Sequence, residues 1–219
     1  MGWVWKSLNS SIGKKLVMAI TGLALMLFLI VHLAGNMSLY GGKNAFNNYV
    51  ALLEEIKPLI RVIEIILASI FILHIFNGTR LWIENKQARP QGYSVNGSRK
   101  NTTVFSRTAF ITGSIIFIFL VIHLQTIWYK FNYSGSELDL YTITTEWLQV
   151  WWYAALYFIA VLLLGFHLNH GFQSAFQTFG WNHKKYFPLI EKIGTIYAVI
   201  MTIGFASIPI YFLFFFGGK

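Results

Sequence analysis

Five apolar runs, each long enough to cross a bilayer, constrain this chain more than any other feature. They cover about residues 16–39, 59–83, 106–129, 150–178 and 190–215. A hydrocarbon core of about 30 Å takes roughly twenty residues of α-helix. Inside that core every main-chain N–H and C=O must find a partner within the protein, so apolar runs of this length are helices. The expectation is an all-α membrane protein, a single domain over 1–219 built as a five-helix bundle. The first run follows a basic flank, as in a signal peptide, but it is long enough to span and reads as a retained helix.

Composition supports this reading. Hydrophobic residues make up 56% of the chain and charged residues only 11%, with a mean hydropathy of +0.56. A soluble domain carries roughly twice that share of charge. The net charge of +9 invites a nucleic-acid partner, but the basic residues sit in short loops between spans, where topology explains them. Lys6, Lys14, Lys15, Lys86, Arg89, Arg99, Lys100, Arg107, Lys184, Lys185 and Lys192 fall on one side. The other side has Lys43, Lys57, Arg61, Lys130 and Lys219, and most of the acids. This asymmetry puts the N-terminus in the cytoplasm and the C-terminus outside. With no cysteine, disulfides, thiolate zinc sites, iron–sulfur ligation and covalently attached haem are excluded.

The first and third spans carry nearly the same segment, "ITGLALMLFLIVHL" at 20–33 and "ITGSIIFIFLVIHL" at 111–124. In each, a histidine follows a glycine by ten residues: His32 after Gly22 and His123 after Gly113. Spans two and four repeat a different pattern, with glycine four residues after histidine: His74 with Gly78, and His167 with Gly171. From the orientation of the spans, His32 and His123 share an outer level, and His74 and His167 an inner one. A lone intramembrane histidine is ordinarily a satisfied polar group of the bundle core. Four of them, paired by depth on four spans, point to ligation, since polar groups in a membrane are costly and usually functional.

Each level supplies two imidazoles. Zinc wants four ligands in one shell, and non-haem iron wants carboxylates. Two imidazoles on either side of a macrocycle make a bis-histidine haem with no open iron position, which suits electron transfer. The expectation is two haem b groups stacked across the membrane. Gly78 and Gly171 lie one turn from their histidines on the same helix face, where a missing side chain lets a flat macrocycle approach. Thr21 and Thr112 precede His32 and His123 by eleven residues, about 16 Å of helix. That sets Thr21, Gly22, Thr112 and Gly113 at the inner level, making room there for the second macrocycle. His170, one turn beyond His167, competes for its role, and the parallel with His74 favours His167. His183 reads as a solvated loop residue. Arg80 and Arg107, at the inner ends of spans two and three, and Ser174 and Gln177 of span four are candidate partners for haem propionates.

These residues resemble the five-helix, di-haem cytochrome b subunit of succinate:quinone oxidoreductases, the family that includes menaquinone-linked succinate dehydrogenases and fumarate reductases. The resemblance runs nearly end to end. It rests on the five spans, the paired Thr-Gly and His segments, His-x-x-x-Gly in span two, and a Phe-His-x-x-x-Gly segment that reaches Gly180 thirteen residues after His167. It implies outer ligands His32 and His123 and inner ligands His74 and His167. It implies a flavoprotein and an iron–sulfur subunit on the cytoplasmic face of a bacterial inner membrane, menaquinone as substrate, and no flavin or dicarboxylate site in this chain. The family carries an acid about twenty-two residues after its first ligand, thought to handle the quinol proton; here that is Glu54, with Lys43 and Asn36 as weaker candidates. Some members carry a glutamate two residues before the fourth ligand, where this chain has Gly165, which puts a transmembrane proton route in doubt. A related cytochrome serving another dehydrogenase would share the wiring. A transporter or plain anchor, with histidines as polar glue, would show no visible absorption.

Overall fold

The computed structural model describes residues 2–88, 104–135 and 137–217. Arg89, Arg99, Lys100 and Lys219 of the charge argument lie outside them. The described residues are helical, with no strand among them. A short helix α1 (Trp3–Leu8) precedes α2 (Ser11–Met37), whose N-cap Ser10 accepts a hydrogen bond from the Gly13 amide. After a 3₁₀ turn (Ser38–Gly41) come α3 (Gly42–Glu55) and α4 (Lys57–Gln87). Then α5 (Val104–His123) continues through a π-helical turn (Leu124–Tyr129) into α6 (Lys130–Tyr133). α7 (Leu140–Leu148), α8 (Trp151–Thr178) and α9 (Phe187–Phe214) complete the chain.

Five helical segments are long and apolar enough to cross a membrane, as the sequence led us to expect. Their edges shift. The first helix stops at Met37 rather than about 39, and the third runs from Val104 through Tyr133. Pro58 explains the break between α3 and α4. A proline has no N–H for the carbonyl four residues back, here that of Glu54, and its ring crowds that carbonyl, so the chain turns at Ile56 and restarts with proline in the first turn.

α2 packs against α4 and α8, and α5 packs against α8. α4 meets α5 through the stacked rings of Trp82 and Phe110, whose centres are 4.1 Å apart. α2 and α5 thus stand on one diagonal of a square, and α4 and α8 on the other. The repeated sequence segments occupy opposite corners. α9 covers the seam between α8 and α2; Tyr197 on α9 donates to the Met26 carbonyl at 2.9 Å. Met26, Leu168, Ala198 and Met201 fill this seam.

The segments between spans are not open loops. Phe46 on α3 and Tyr141 on α7 pack together, their ring centres 6.1 Å apart. With Leu39, Leu148, Tyr153, Ile208 and Phe212 they form a buried cluster that closes the end of the bundle opposite the N-terminus. The Lys43 ammonium meets the Asp139 carboxylate at 2.7 Å across the same pair. α3 buries one apolar stripe and leaves its charges outside, so it lies across the bundle end rather than through it.

Candidate functional site

The four span histidines meet in pairs across the two diagonals. His32 on α2 and His123 at the end of α5 have ring centres 5.9 Å apart, with their planes at 84°. His74 on α4 and His167 on α8 are 6.3 Å apart at 72°. Two imidazoles sharing one metal through nitrogens about 2 Å away would hold their ring centres about 6 Å apart. Both pairs have that separation. Among the described residues no group of three or more His, Cys, Asp or Glu converges, so each histidine pair stands by itself.

The neighbouring helices decide which nitrogen each ring presents. Thr21 Oγ1 on α2 donates to the Val17 carbonyl at 2.7 Å and lies 3.1 Å from His74 Nδ1. Its one hydrogen is used on the carbonyl, so toward His74 it can only accept. His74 therefore carries its proton on Nδ1, and Nε2 keeps the lone pair a metal needs. The other half of the bundle repeats this arrangement. Thr112 on α5 donates to main-chain carbonyls of its own helix, and its Oγ1 lies 3.4 Å from His167 Nδ1.

The glycines after these threonines seat the same rings. A methyl group on Gly22 would come within 3.4 Å of His74 Cε1, and one on Gly113 within 3.2 Å of His167 Cε1. The Ile-Thr-Gly repeat thus works one helix away from its own histidine: threonine fixes the tautomer of the neighbour's ring and glycine makes space for its edge. The sequence led us to expect these residues at this level, but as room for a macrocycle rather than as the seat of the imidazole. The signal was a hydroxyl inside a span next to glycine, repeated at the same offset.

His123 is held differently. Its Nδ1 lies 2.6 Å from the Tyr157 hydroxyl, which lies 3.0 Å from that of Tyr153, itself 2.5 Å from Thr126 Oγ1. None of these three hydroxyls was singled out in the sequence. Tyr157 precedes His167 by ten residues, the Gly-to-His offset seen elsewhere, and Tyr153 lies one turn before it. For His32, the Asn36 amide nitrogen lies 3.5 Å from Nε2 and bonds the His32 carbonyl at 2.8 Å. The ring stacks on Phe28, with centres 5.2 Å apart.

The remaining candidates fall at other places. Gly78 faces the Met18 side chain and Gly171 faces that of Met26. Arg80 is held by Glu84 at 3.0 Å and Asn9 at 2.7 Å, and Glu84 also pairs with the buried Lys14. Arg107 stands in the first turn of α5. Glu54 is at the end of α3, exposed and paired with Lys57 at 2.5 Å, not buried beside a histidine. Glu64 lies deeper along α4 and joins Arg61 at 2.6 Å and the Trp128 indole N–H at 2.9 Å. His170 is half-buried without entering either pair. His183 lies in an exposed turn, its Nδ1 accepting from the Lys185 amide at 3.2 Å.

A five-helix membrane bundle with imidazoles paired at two depths is the class of protein this geometry defines. The chain belongs to the family of succinate dehydrogenase/fumarate reductase transmembrane subunits, whose family model matches residues 15–96 and 86–206. No curated protein and no solved structure matches it.

Proposed function

We propose that this chain is the di-haem cytochrome b anchor of a succinate:menaquinone oxidoreductase in a bacterial inner membrane. It would carry electrons between an iron–sulfur subunit on the cytoplasmic side and the quinone pool, with a flavoprotein subunit completing the complex. The observation that carries this reading is the spacing of the two histidine pairs, 5.9 and 6.3 Å between ring centres, on a chain of this family. The quinone and the inside position of the N-terminus follow from the resemblance and from the lysine and arginine distribution.

Each haem, when bound, supplies a one-electron Fe(III)/Fe(II) couple. The chain's own residues do the rest. His32 with His123 would hold one group, and His74 with His167 the other. Thr21, Thr112 and Tyr157 keep three of the rings protonated at Nδ1, so Nε2 is the ligating atom; such outer partners also raise the basicity of the ligand. The apolar spans exclude water. Arg80 and Arg107 are the proposed propionate partners, with a propionate competing against Glu84 for Arg80. Glu54 is the proposed acceptor of the quinol proton, reached from the bundle end that α3 closes.

A reduced-minus-oxidised visible spectrum with haemochrome quantification tests the reading. The expected result is about two low-spin b-type haems per chain. His32→Ala and His123→Ala should lose one of them, and His74→Ala and His167→Ala the other. A well-folded preparation without haem would overturn the reading. Glu54→Gln is expected to slow quinone-linked turnover while both haems remain.

A further inference from the structure

The two halves of the bundle match at the level of His74 and His167, where each ring meets a threonine. They differ at the level of His32 and His123, where only His123 meets a hydroxyl chain. We infer that Tyr157, backed by Tyr153 and Thr126, is a positioning residue that fixes His123 as an Nδ1–H donor and sets the redox behaviour of that level apart from the other. This rests on the di-haem reading above.

A metal on this pair must bind His123 at Nε2, so the ring hydrogen sits on Nδ1 and Tyr157 accepts it at 2.6 Å. Tyr157 also accepts from the Tyr153 hydroxyl at 3.0 Å, one lone pair for each donor. The Tyr153 hydroxyl lies 2.5 Å from Thr126 Oγ1. Thr126 in turn lies 2.7 Å from the Ile122 carbonyl, one residue before His123, so the series is anchored on the helix that carries the ring.

The chain is buried and rigidly placed. Tyr153 is fully buried among Leu148, Ile208 and Phe212, and the Tyr153 and Tyr157 rings pack 4.7 Å apart. Phe119 sits edge-on against Tyr157, with centres 4.7 Å apart. In such surroundings a hydrogen bond is electrostatically stronger than in water. The Tyr157 oxygen, held in place by Tyr153, keeps a lone pair on the imidazole N–H and raises the basicity of the ring. A more basic imidazole favours the oxidised metal, so the chain lowers the potential of the His32–His123 level. Among the described residues the polar side chain at His32 is Asn36, whose amide nitrogen lies 3.5 Å from Nε2 rather than Nδ1, so the effect enters through His123.

The test is Tyr157→Phe in the complete membrane complex, followed by redox titration of both haem absorbance bands and haemochrome quantification. One midpoint should rise while the other stays. A tenfold weaker preference for the oxidised state reads as about 59 mV for a one-electron couple. Retention of that haem should fall about ten- to a hundredfold. Tyr153→Phe keeps the contact to His123 and removes its backing, so it should shift the same midpoint by less. It also serves where Tyr157→Phe does not fold. Unchanged midpoints and occupancies, or equal loss of both haems, would overturn the inference while the di-haem reading stands. Absence of haem from the unmodified complex would overturn that reading itself.

Discussion

Thr21 and Thr112 show how much one hydroxyl decides inside a membrane. Each spends its hydrogen on its own helix and offers a lone pair to a ring on the next. Thr21→Val keeps the volume and removes the acceptor, leaving the His74 Nδ1–H unpaired. Such an unmade hydrogen bond costs about 1–3 kcal/mol. On the di-haem proposal, haem retention at the His74–His167 level should fall about ten- to a hundredfold, measured by haemochrome after dilution, with Thr21→Ser restoring it. Glycine is tested at the same level. Gly113→Ala brings a methyl group to 3.2 Å from His167, tighter than the 3.4 Å that Gly22→Ala gives at His74, and should weaken that level more. At this scale the histidines were legible in the sequence because their depth repeats. The tyrosines at His123 were not. Tyr153 and Tyr157 look like ordinary aromatic packing residues of a span, and only the crossing of α5 and α8 brings their hydroxyls to the ring.

Helices long enough to span announce themselves by length alone, and all five stand where the apolar runs lie. α3 and α7 do not. They are too short to span, and their apolar residues acquire a purpose only when the two helices meet over the bundle end. Phe46, Tyr49, Val50 and Leu53 do recur at helical spacing, a signal that the reading of this stretch as a loop passed over. The N-cap of α7 offers a test. Asp139 accepts from the Thr142 amide at 3.0 Å. Burial alone would raise its carboxyl, but hydrogen bonds from Lys43, Asn47 and Thr142 overcome this and hold it well below the usual carboxylate range. A depressed carboxyl stabilises the fold fully above its unfolded pKa of about 4, and the contribution is lost as pH falls from there toward the folded value. Amide exchange in α7 should therefore accelerate below about pH 4. Asp139→Ala should cost about 0.5–2 kcal/mol of local stability, as loss of an N-cap does, and abolish that pH dependence.

Across the whole molecule, the start of α2 is fastened to the end of α4 by Lys14, Glu84, Arg80 and Asn9. Lys14 is buried, so removing its counter-charge is worse than removing both partners. Glu84→Gln should lower the melting temperature in detergent, and adding Lys14→Met should recover part of the loss. Equal and additive effects would show the pair to be uncoupled. The square arrangement of α2, α4, α5 and α8 was implicit in the duplicated segments, since two matched halves place their equivalent histidines on opposite corners. What duplication does not convey is the fifth helix, which lacks any ligand and owes its position to close packing, with Gly194 against Phe172 and Gly204 against Leu33.

The wide turn at Leu124–Tyr129, directly after His123, has an evolutionary reading. A π turn accommodates one extra residue in a helix without breaking it. Relatives that lack this residue would continue as plain α-helix and carry the position of Trp128 on another face, away from Glu64. An alignment of this chain to such a relative needs its single-residue gap between 124 and 129. Placed earlier, the gap would slide His123 out of register with its counterparts; placed later, it would pair Trp128 with a residue that faces lipid.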